Sequence, residues 1–157
     1  MSESNEEDLF AYEFLGATNY YRRQHGVPEL QICQDLNDMA QRHAERLAEI
    51  RHLEYFQMTS VGESITFFPN DMPASDMVDY WYKESRRYEY QIPGWQIGTN
   101  YFTQMHFNKK NGHHIEDSLN NHQVVVAFYR PAGNSNRAGQ FEANVNKPIE
   151  TTANNCH

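Results

Sequence analysis

The stretch Asn100-Tyr101-Phe102-Thr103-Gln104-Met105 is the part of this chain that says most about its fold. It begins at the end of residues 88–100, a segment rich in proline, glycine and aromatic side chains that is predicted to be a loop. Tyr101 can donate and accept hydrogen bonds, but at neutral pH its phenol is a poor ligand for a divalent metal. Metal chemistry at this position is therefore not expected.

The composition argues against several classes of protein. The chain has 157 residues, enough for one domain with a substantial core, and its 10 Tyr, 9 Phe and 2 Trp argue against disorder. The formal net charge is −8, from 13 basic and 21 acidic residues. A basic surface for nucleic acid or for anionic lipid is therefore not expected.

The first residues and the cysteines indicate a compartment. The chain opens with Met1-Ser2-Glu3 and an acidic run, without a positive start or an apolar segment, so no signal peptide is expected. No apolar run reaches the length of a membrane-spanning helix. Two cysteines, Cys33 and Cys156, argue against a disulfide framework and favour a reducing environment.

Apolar periodicity predicts two amphipathic helices in the first third of the chain. Residues 9–24 carry apolar side chains at spacings of three or four, and Gly26 and Pro28 end that helix. A second helix runs from about residue 35 to between residues 50 and 54. Its apolar stripe includes His43, which we expect to be a hydrogen-bonded core residue.

A third helix and a strand complete the predicted domain. Ser75 is the expected N-cap of a helix that runs to about residue 87. Residues 124–129 form a short, β-branched apolar run that is typical of a buried strand. Residues 1–8 are expected to be a flexible lead-in and residues 147–157 a flexible tail. Helices around a few strands indicate an α+β layered domain.

Several short motifs occur in a fixed order along the chain. They are Asn19-Tyr20-Tyr21-Arg22 with His25-Gly26-Val27-Pro28, Leu36-Asn37-x-x-Ala40-Gln41, Gly62-Glu63-Ser64, Trp81-Tyr82-x-Glu84, Phe102-Thr103-Gln104-Met105, and Tyr129-x-Pro131-Ala132-Gly133-Asn134 with Asn144-Val145. In this order they resemble the signatures of the CAP superfamily of cysteine-rich secretory proteins, antigen 5 and plant pathogenesis-related proteins. The resemblance implies a CAP domain over residues 9–146, folded as an α-β-α sandwich with a small antiparallel sheet between helices.

Within the superfamily, the chain is most similar to the intracellular, Golgi-associated plant pathogenesis-related branch, which lacks the usual disulfides. That branch forms homodimers and associates with Golgi and lipid-raft membranes, so the resemblance implies self-association and peripheral membrane binding. Its N-myristoyl anchor requires glycine after the initiator methionine. Because Ser2 stands there, we expect any membrane association to use a surface patch or a partner.

The cleft of the family gathers two histidines and two glutamates, and the resemblance places the glutamates at Glu63 and Glu84. Two carboxylates in a partly buried cleft could share a proton, hold a cation or act as general acid and base. They could instead accept hydrogen bonds from helix ends and neighbouring hydroxyls. We favour a structural or ligand-orienting role over catalysis.

Both histidines of that cleft are expected to be replaced. Tyr101 takes one position, and an alignment without a gap in the second helix puts Tyr55 at the other. A shift of three residues would instead put His52 there; we prefer Tyr55, because loops absorb deletions more readily than helices. Zinc favours imidazole or thiolate ligands, and no oxygen-rich loop for calcium or magnesium is visible. No metal cofactor is therefore expected.

Other residues offer a weaker hypothesis of metal binding. The candidates are His106, His113, His114, Glu116, Asp117 and His122. We prefer an edge strand or loop with solvated histidines in this region. Cys33 is expected to be a packed thiol.

Tyr88, Tyr90 and Trp95 lie in the loop that the resemblance associates with sterol binding. Aromatic side chains on a loop could offer a flat apolar surface to a sterol or to a membrane interface. Equally, Tyr88 and Trp95 could simply cover the core. Both interpretations stay open.

The leading hypothesis is a non-enzymatic CAP-domain protein that acts inside the cell and binds lipid, sterol or protein partners. The first alternative is a hydrolase that uses Glu63 and Glu84. A second is a secreted, immunomodulatory protein of the venom-allergen type, which would need a leader or unconventional export. No nucleic-acid partner is expected under any of them.

Overall fold

The structure is a computed structural model that describes residues 3–57, 61–106, 111–119, 122–130, 133, 144–145 and 147–148. For residues 3–8, 106 and 111–119 it describes the backbone alone. Cys156 and the predicted tail beyond residue 148 lie outside the described residues.

The described part of the chain contains four α-helices, one 3₁₀ helix and three strands. In chain order they are α1 (Glu3–Gln24), α2 (Gln34–Ile50), β1 (Gly62–Pro69), α3 (Ala74–Tyr82), the 3₁₀ helix Lys83–Arg86, α4 (Asn100–His106), β2 (Asn111–Leu119) and β3 (His122–Arg130).

Two helix starts differ from the prediction. Helix α1 begins at Glu3 rather than at residue 9, because its first turns are rich in acidic residues, which the helix dipole favours at an N-terminus. Ser75 is not the N-cap of α3. That position belongs to Pro73, which is extended (φ −67°, ψ 156°) and accepts a hydrogen bond from the Asp76 N–H. Proline's fixed φ suits this position, and Ser75 falls in the first turn.

The three strands form an antiparallel sheet in the order β1-β3-β2. In its register Ile65 of β1 and Ile115 of β2 both lie opposite Val126 of β3. Strand β3 is central and buried on both faces, which is why its sequence is continuously apolar rather than alternating. The predicted buried strand over residues 124–129 is thus confirmed.

Side chains alternate along β3 between two hydrophobic clusters. Val124, Val126 and Phe128 pack with α2, whereas Val125, Ala127 and Tyr129 pack with α1, α3 and α4. Helices therefore cover both faces of the sheet, and the predicted α-β-α sandwich is confirmed. His43 of α2 is buried, its Nε2 lies 2.7 Å from the Glu54 carbonyl oxygen, and its ring stacks on Phe128, as expected for a core histidine.

Polar side chains of α1 position the loop that follows it and the end of α4. Asn19 exchanges two hydrogen bonds with the Leu30 backbone, of 2.7 and 3.1 Å. Arg22 is fully buried and donates to the carbonyl oxygens of Pro28 and Met105, at 2.8 and 2.5 Å. Burial lowers the pKa of this guanidinium to about 10. The first-helix motif thus holds α4 in place.

A close approach joins β1 to α4. A Cβ added to Gly62 would lie 2.3 Å from the Gln104 side chain, which is itself buried. A larger residue at position 62 would therefore displace the Gln104 amide, so the Gly-Glu and Phe-Thr-Gln motifs are in direct contact. Within the described residues, no helix combines the length and apolarity needed to cross a membrane.

Candidate functional site

A solvent-accessible cleft of about 330 Å³ lies beside β1, between the segment that follows α2 and the start of α4. The described residues that line it are Tyr55, Glu63, Ser64, Trp95, Asn100 and Tyr101. Glu63 and Tyr101, which the resemblance places at a glutamate and a histidine position, thus line the same cavity. Tyr55 joins them from the other side.

Glu63 holds the segment after α2 against the sheet. Its Oε2 accepts a hydrogen bond from the Phe56 N–H at 2.9 Å, and its Oε1 accepts one from the Gln57 N–H at 2.8 Å. Gln57 has a left-handed φ of 59°, a conformation that costs a non-glycine residue energy unless its surroundings support it. Both carboxylate oxygens are therefore used to fix the backbone that carries Tyr55 into the cleft.

Glu84 performs a similar role at the start of α4, although it does not line the cavity. Its Oε1 accepts hydrogen bonds from the N–H groups of Tyr101 and Phe102, at 2.8 and 3.0 Å. These donors lie in the first turn, where a helix has no internal acceptors for them. Desolvation by burial raises the pKa of Glu84, and the two backbone hydrogen bonds oppose this only in part.

A hydrogen bond and a ring contact hold the Tyr101 side chain in place. Its hydroxyl donates to the Ile65 carbonyl oxygen at 2.8 Å, and its ring stacks on Trp81 with a centroid separation of 5.1 Å and an interplanar angle of 9°. The Trp81 indole N–H in turn donates to Thr66 Oγ1 at 2.9 Å. Burial raises the pKa of Tyr101, which keeps the phenol neutral and able to donate.

The cleft residues do not fit a zinc ion. No histidine or cysteine is among the described lining residues. The Tyr101 hydroxyl donates its hydrogen bond to the Ile65 carbonyl oxygen, and each Glu63 oxygen already accepts one backbone N–H group. Among the described side chains, no three of His, Cys, Asp or Glu come close enough together to share an ion.

The structure places the two candidates for the other histidine position, Tyr55 and His52, in different surroundings. Tyr55 lines the cleft, whereas His52 is exposed outside the set of lining residues, with its Nδ1 3.1 Å from the Ile50 carbonyl oxygen. Helix α2 ends at Ile50 and its C-cap Arg51 is left-handed (φ 58°), so the chain turns before His52. Tyr55 is therefore the residue that faces Glu63 and Tyr101 across the cleft.

The three aromatic residues of the loop, Tyr88, Tyr90 and Trp95, differ in their exposure to solvent. Tyr88 is only 5% exposed and packs with Phe102 and Val145, and Tyr90 is half-buried against the same cluster. Trp95 is 52% exposed and lines the cleft. Of the three residues predicted to form a sterol surface, Trp95 is the one that presents a substantial ring surface to solvent.

The remaining metal candidates are placed only in part. His113, His114, Glu116 and Asp117 lie in β2, an edge strand of the sheet, but their side chains are outside what the structure describes. The same holds for the side chain of His106, and His122 is exposed at the start of β3. Cys33 stands at the N-cap of α2 and packs partly buried against the α2 cluster.

Ser64 and Asn100 line the cleft without having been predicted to do so. The sequence could have indicated both, because each is the direct neighbour of a predicted cleft residue, Glu63 or Tyr101. Trp95 was predicted as a loop residue rather than a cleft residue. Its position depends on the path of residues 87–99, which no periodicity in the sequence specifies.

The sequence matches the model of a known family. The model of the family described as "CAP: Cysteine-rich secretory protein family" matches residues 15–147. This chain belongs to the CAP family. The Golgi-associated plant pathogenesis-related protein 1 of Homo sapiens is 39% identical over 144 residues, which cover 88% of this chain and 94% of that protein.

Solved structures agree on the fold. Venom allergen-like protein 4 of Schistosoma mansoni superimposes with a TM-score of 0.65 at 17% identity, covering 96% of each chain. The crystal structure of NaASP2 with Zn²⁺ gives a TM-score of 0.67 at 17% identity, covering 88% of this chain and 85% of that one. At these identities the likeness establishes a CAP fold and nothing about ligands.

Proposed function

We propose that this CAP protein is a non-enzymatic binding protein whose cleft takes an organic ligand, in place of the metal site that the family resemblance implies. The observation that carries this proposal is the use of the carboxylates. Glu63 and Glu84 together accept four backbone N–H groups, so they serve as structural supports for the cleft walls. CAP proteins are in general not enzymes, which favours the same conclusion.

The hydrolase alternative rests on one observation, the raised pKa of Glu84. A protonated carboxyl could act as a general acid. However, Glu84 is not among the residues that line the cleft, and Oε1 faces the first turn of α4. A hydrolytic mechanism would also need a positioned nucleophile or an activated water. Loss of turnover in Glu84→Gln with ligand binding unchanged would favour the enzyme over the binding protein.

The surface around the cleft supports binding to lipid. Trp95 is flanked in the same loop by Ile92 and Ile97, which are 66% and 84% exposed. A tryptophan between exposed aliphatic residues suits a membrane interface, where an amphipathic ring has one apolar and one wet side. Peripheral association through this loop, at the Golgi or another intracellular membrane, is part of the proposal.

Vesicle flotation tests the proposal. Vesicles of phosphatidylethanolamine with and without sterol, which contain no choline lipid, are mixed with the wild-type protein and with Ile92→Ser/Ile97→Ser. We expect saturable binding by the wild type and a loss of most of it in the double variant. Tyr12→Ser, which removes a comparably exposed side chain from α1, is the control and should bind normally. Absence of vesicle binding, of protein partners and of self-association would overturn the proposal.

Self-association and a protein partner are proposed on the resemblance to the Golgi-associated branch. Light scattering coupled to size-exclusion chromatography measures the first directly, and a homodimer is the expected result. The secreted, immunomodulatory alternative remains a prediction that expression in cells, followed by assay of the culture medium, would test.

A further inference from the structure

The cleft combines aromatic rings with a carboxylate and lacks a cation of its own among its described lining residues. Tyr55, Trp95 and Tyr101 line it together with Glu63, and the other described lining residues, Ser64 and Asn100, are neutral. The chain as a whole carries a net charge of −8, which raises the local concentration of cations around its surface. The electrostatic character of the cleft therefore favours a positively charged ligand.

Two of these rings have no aromatic partner in the part of the chain that the structure describes. Tyr55 and Trp95 are 55% and 52% exposed, and neither makes a ring contact there. Tyr101 differs, because it stacks on Trp81. The aromatic surface of Tyr55 and Trp95 therefore remains open to a ligand in the cleft.

The hydrogen bonds of the cleft favour a cation that has no N–H groups of its own. A metal ion, an ammonium or a guanidinium requires acceptor lone pairs directed at it. Each Glu63 oxygen already accepts one N–H group, from Phe56 or Gln57, so about half of the acceptor sites of the carboxylate are in use. A quaternary ammonium has no N–H to satisfy, so ring faces and a nearby negative charge are sufficient to hold it.

The size of the cleft agrees with a small head group. Its volume of about 330 Å³ lies at the lower end of the range for ligand pockets, about 300–1,000 Å³. Such a volume can enclose a trimethylammonium group, whereas a rigid four-ring sterol would extend beyond it.

We propose that the cleft binds a quaternary ammonium group of the choline type, held by Tyr55, Trp95 and Glu63. The inference rests on the proposed function and deepens it by naming the class of ligand. Free choline and the head group of phosphatidylcholine share this chemistry.

Titration with choline, followed by ¹H–¹⁵N spectra of the full chain, tests the proposal. The protein has two tryptophans, so the exposed Trp95 and the buried Trp81 give two indole N–H signals. We expect saturable shifts of the Trp95 indole and of the Asn100 and Ser64 amides. The matched ligand control is 3,3-dimethylbutanol, which has the shape of choline without its charge. Equal binding of both compounds, or no binding of choline, would overturn the proposal.

Substitutions at Trp95 and Tyr55 test whether the aromatic rings of the cleft bind choline. Trp95→Leu and Tyr55→Leu keep an apolar side chain and remove the π face, and each should weaken choline binding about fivefold or more, which corresponds to about 1 kcal/mol. Tyr12→Leu, an equally drastic change at an exposed tyrosine outside the cleft, should leave affinity unchanged. If Tyr12→Leu weakened binding as much as the cleft variants, the site would not be this cleft.

Two further binding experiments identify the source of the quaternary ammonium group and distinguish this inference from the proposed function. Binding to phosphatidylcholine vesicles that competes with free choline would assign the lipid head group, and binding of choline alone would assign the free compound. Binding of a trimethyllysine peptide without binding of choline would assign the cleft to a protein and overturn the proposal. Binding to choline-free vesicles with no response to choline would refute this inference and leave the proposed function standing.

Discussion

At the scale of single residues, the described lining of the cleft carries one carboxylate, Glu63, and two phenols, Tyr55 and Tyr101. Tyr55 and Tyr101 face Glu63 across the cavity at the positions where the resemblance places histidines. A phenol that keeps its proton and donates it to a backbone carbonyl is a poor ligand for a divalent metal. These two tyrosines therefore make the cleft a poor site for a divalent metal.

Histidines introduced at both positions should create a zinc site. We expect Tyr55→His/Tyr101→His to bind Zn²⁺ at least tenfold more tightly than either single variant, because zinc needs several strong ligands at once. Isothermal titration calorimetry of the wild type, both single variants and the double variant measures this. If Tyr101→His alone bound zinc as tightly as the double variant, Tyr55 would not be the second position, and His52→Ala in the Tyr101→His background would test the remaining candidate.

The pKa of Glu84 makes stability depend on pH in a definite direction. Burial raises the pKa of this carboxyl in the folded state above its ordinary value of 4.5, so the native protein holds the proton more tightly than the unfolded chain. The stabilising contribution is complete below about pH 4.5 and is lost as the pH rises through the folded pKa. Wild-type stability should therefore fall relative to Glu84→Gln as the pH is raised from 4 toward 7.

Urea denaturation of both proteins at a series of pH values measures this difference directly. The amide introduced by Glu84→Gln keeps an oxygen to accept the Tyr101 and Phe102 N–H groups but does not titrate, so this variant provides the baseline. A difference that stayed constant with pH, or that grew in favour of the wild type, would contradict the assignment of Glu84 as a desolvated carboxyl.

At the scale of elements, one side chain fixes the segment between α2 and β1. Glu63 accepts the N–H groups of Phe56 and Gln57, and Phe56 also packs its ring against His43 and Phe128. The carboxylate is the polar half of this attachment and the ring is its apolar half. Tyr55 owes its place in the cleft to both.

Removing the carboxylate should loosen that segment selectively. In Glu63→Ala we expect hydrogen exchange at the Phe56 and Gln57 amides to become about tenfold faster or more, since each loses a charge-assisted hydrogen bond of about 1.5–3 kcal/mol. Exchange measured residue by residue includes the Val126 amide in the central strand as an internal control. Equal acceleration at all three amides would indicate global destabilisation instead.

The elements also show what the sequence could and could not predict. Helix α2 and strand β3 were predictable because their apolar patterns are long and their faces are buried. The start of α3 was not predictable from the sequence, because Pro73 and Ser75 are both acceptable near a helix start. In the structure Pro73 is the N-cap. The position of Trp95 in the cleft was not predictable, because it lies in a loop without periodicity. The hydrogen bonds that Glu63 accepts were not predictable either, because they depend on a left-handed turn at Gln57 that no sequence motif indicates.

At the scale of the whole molecule, β3 joins two clusters into one cooperative unit. Its side chains alternate between the α2 side and the side formed by α1, α3 and α4, so a change at one residue loosens one cluster and the strand shared by both. The cleft lies where the two sides meet at β1, because Glu63 holds the α2 side and Tyr101 belongs to the other. Its geometry depends on the two sides folding together.

Two neighbouring substitutions in β3 test this coupling. Val125 and Val126 are both fully buried but belong to different clusters. We expect Val125→Ala and Val126→Ala each to lower the free energy of unfolding by about 2 kcal/mol, and Ile97→Ala, at an exposed position, to change it by less than about 0.5 kcal/mol. Because the clusters share β3, both variants should unfold in one transition, with the same urea midpoint by far-UV circular dichroism and by tryptophan fluorescence. Fluorescence is measured in the Trp95→Leu background, where Trp81 is the remaining tryptophan and reports on the α1 side. A lower circular-dichroism midpoint in Val126→Ala with an unchanged fluorescence midpoint would mean that the two sides unfold separately, and the cleft between them would then open before the protein as a whole unfolds.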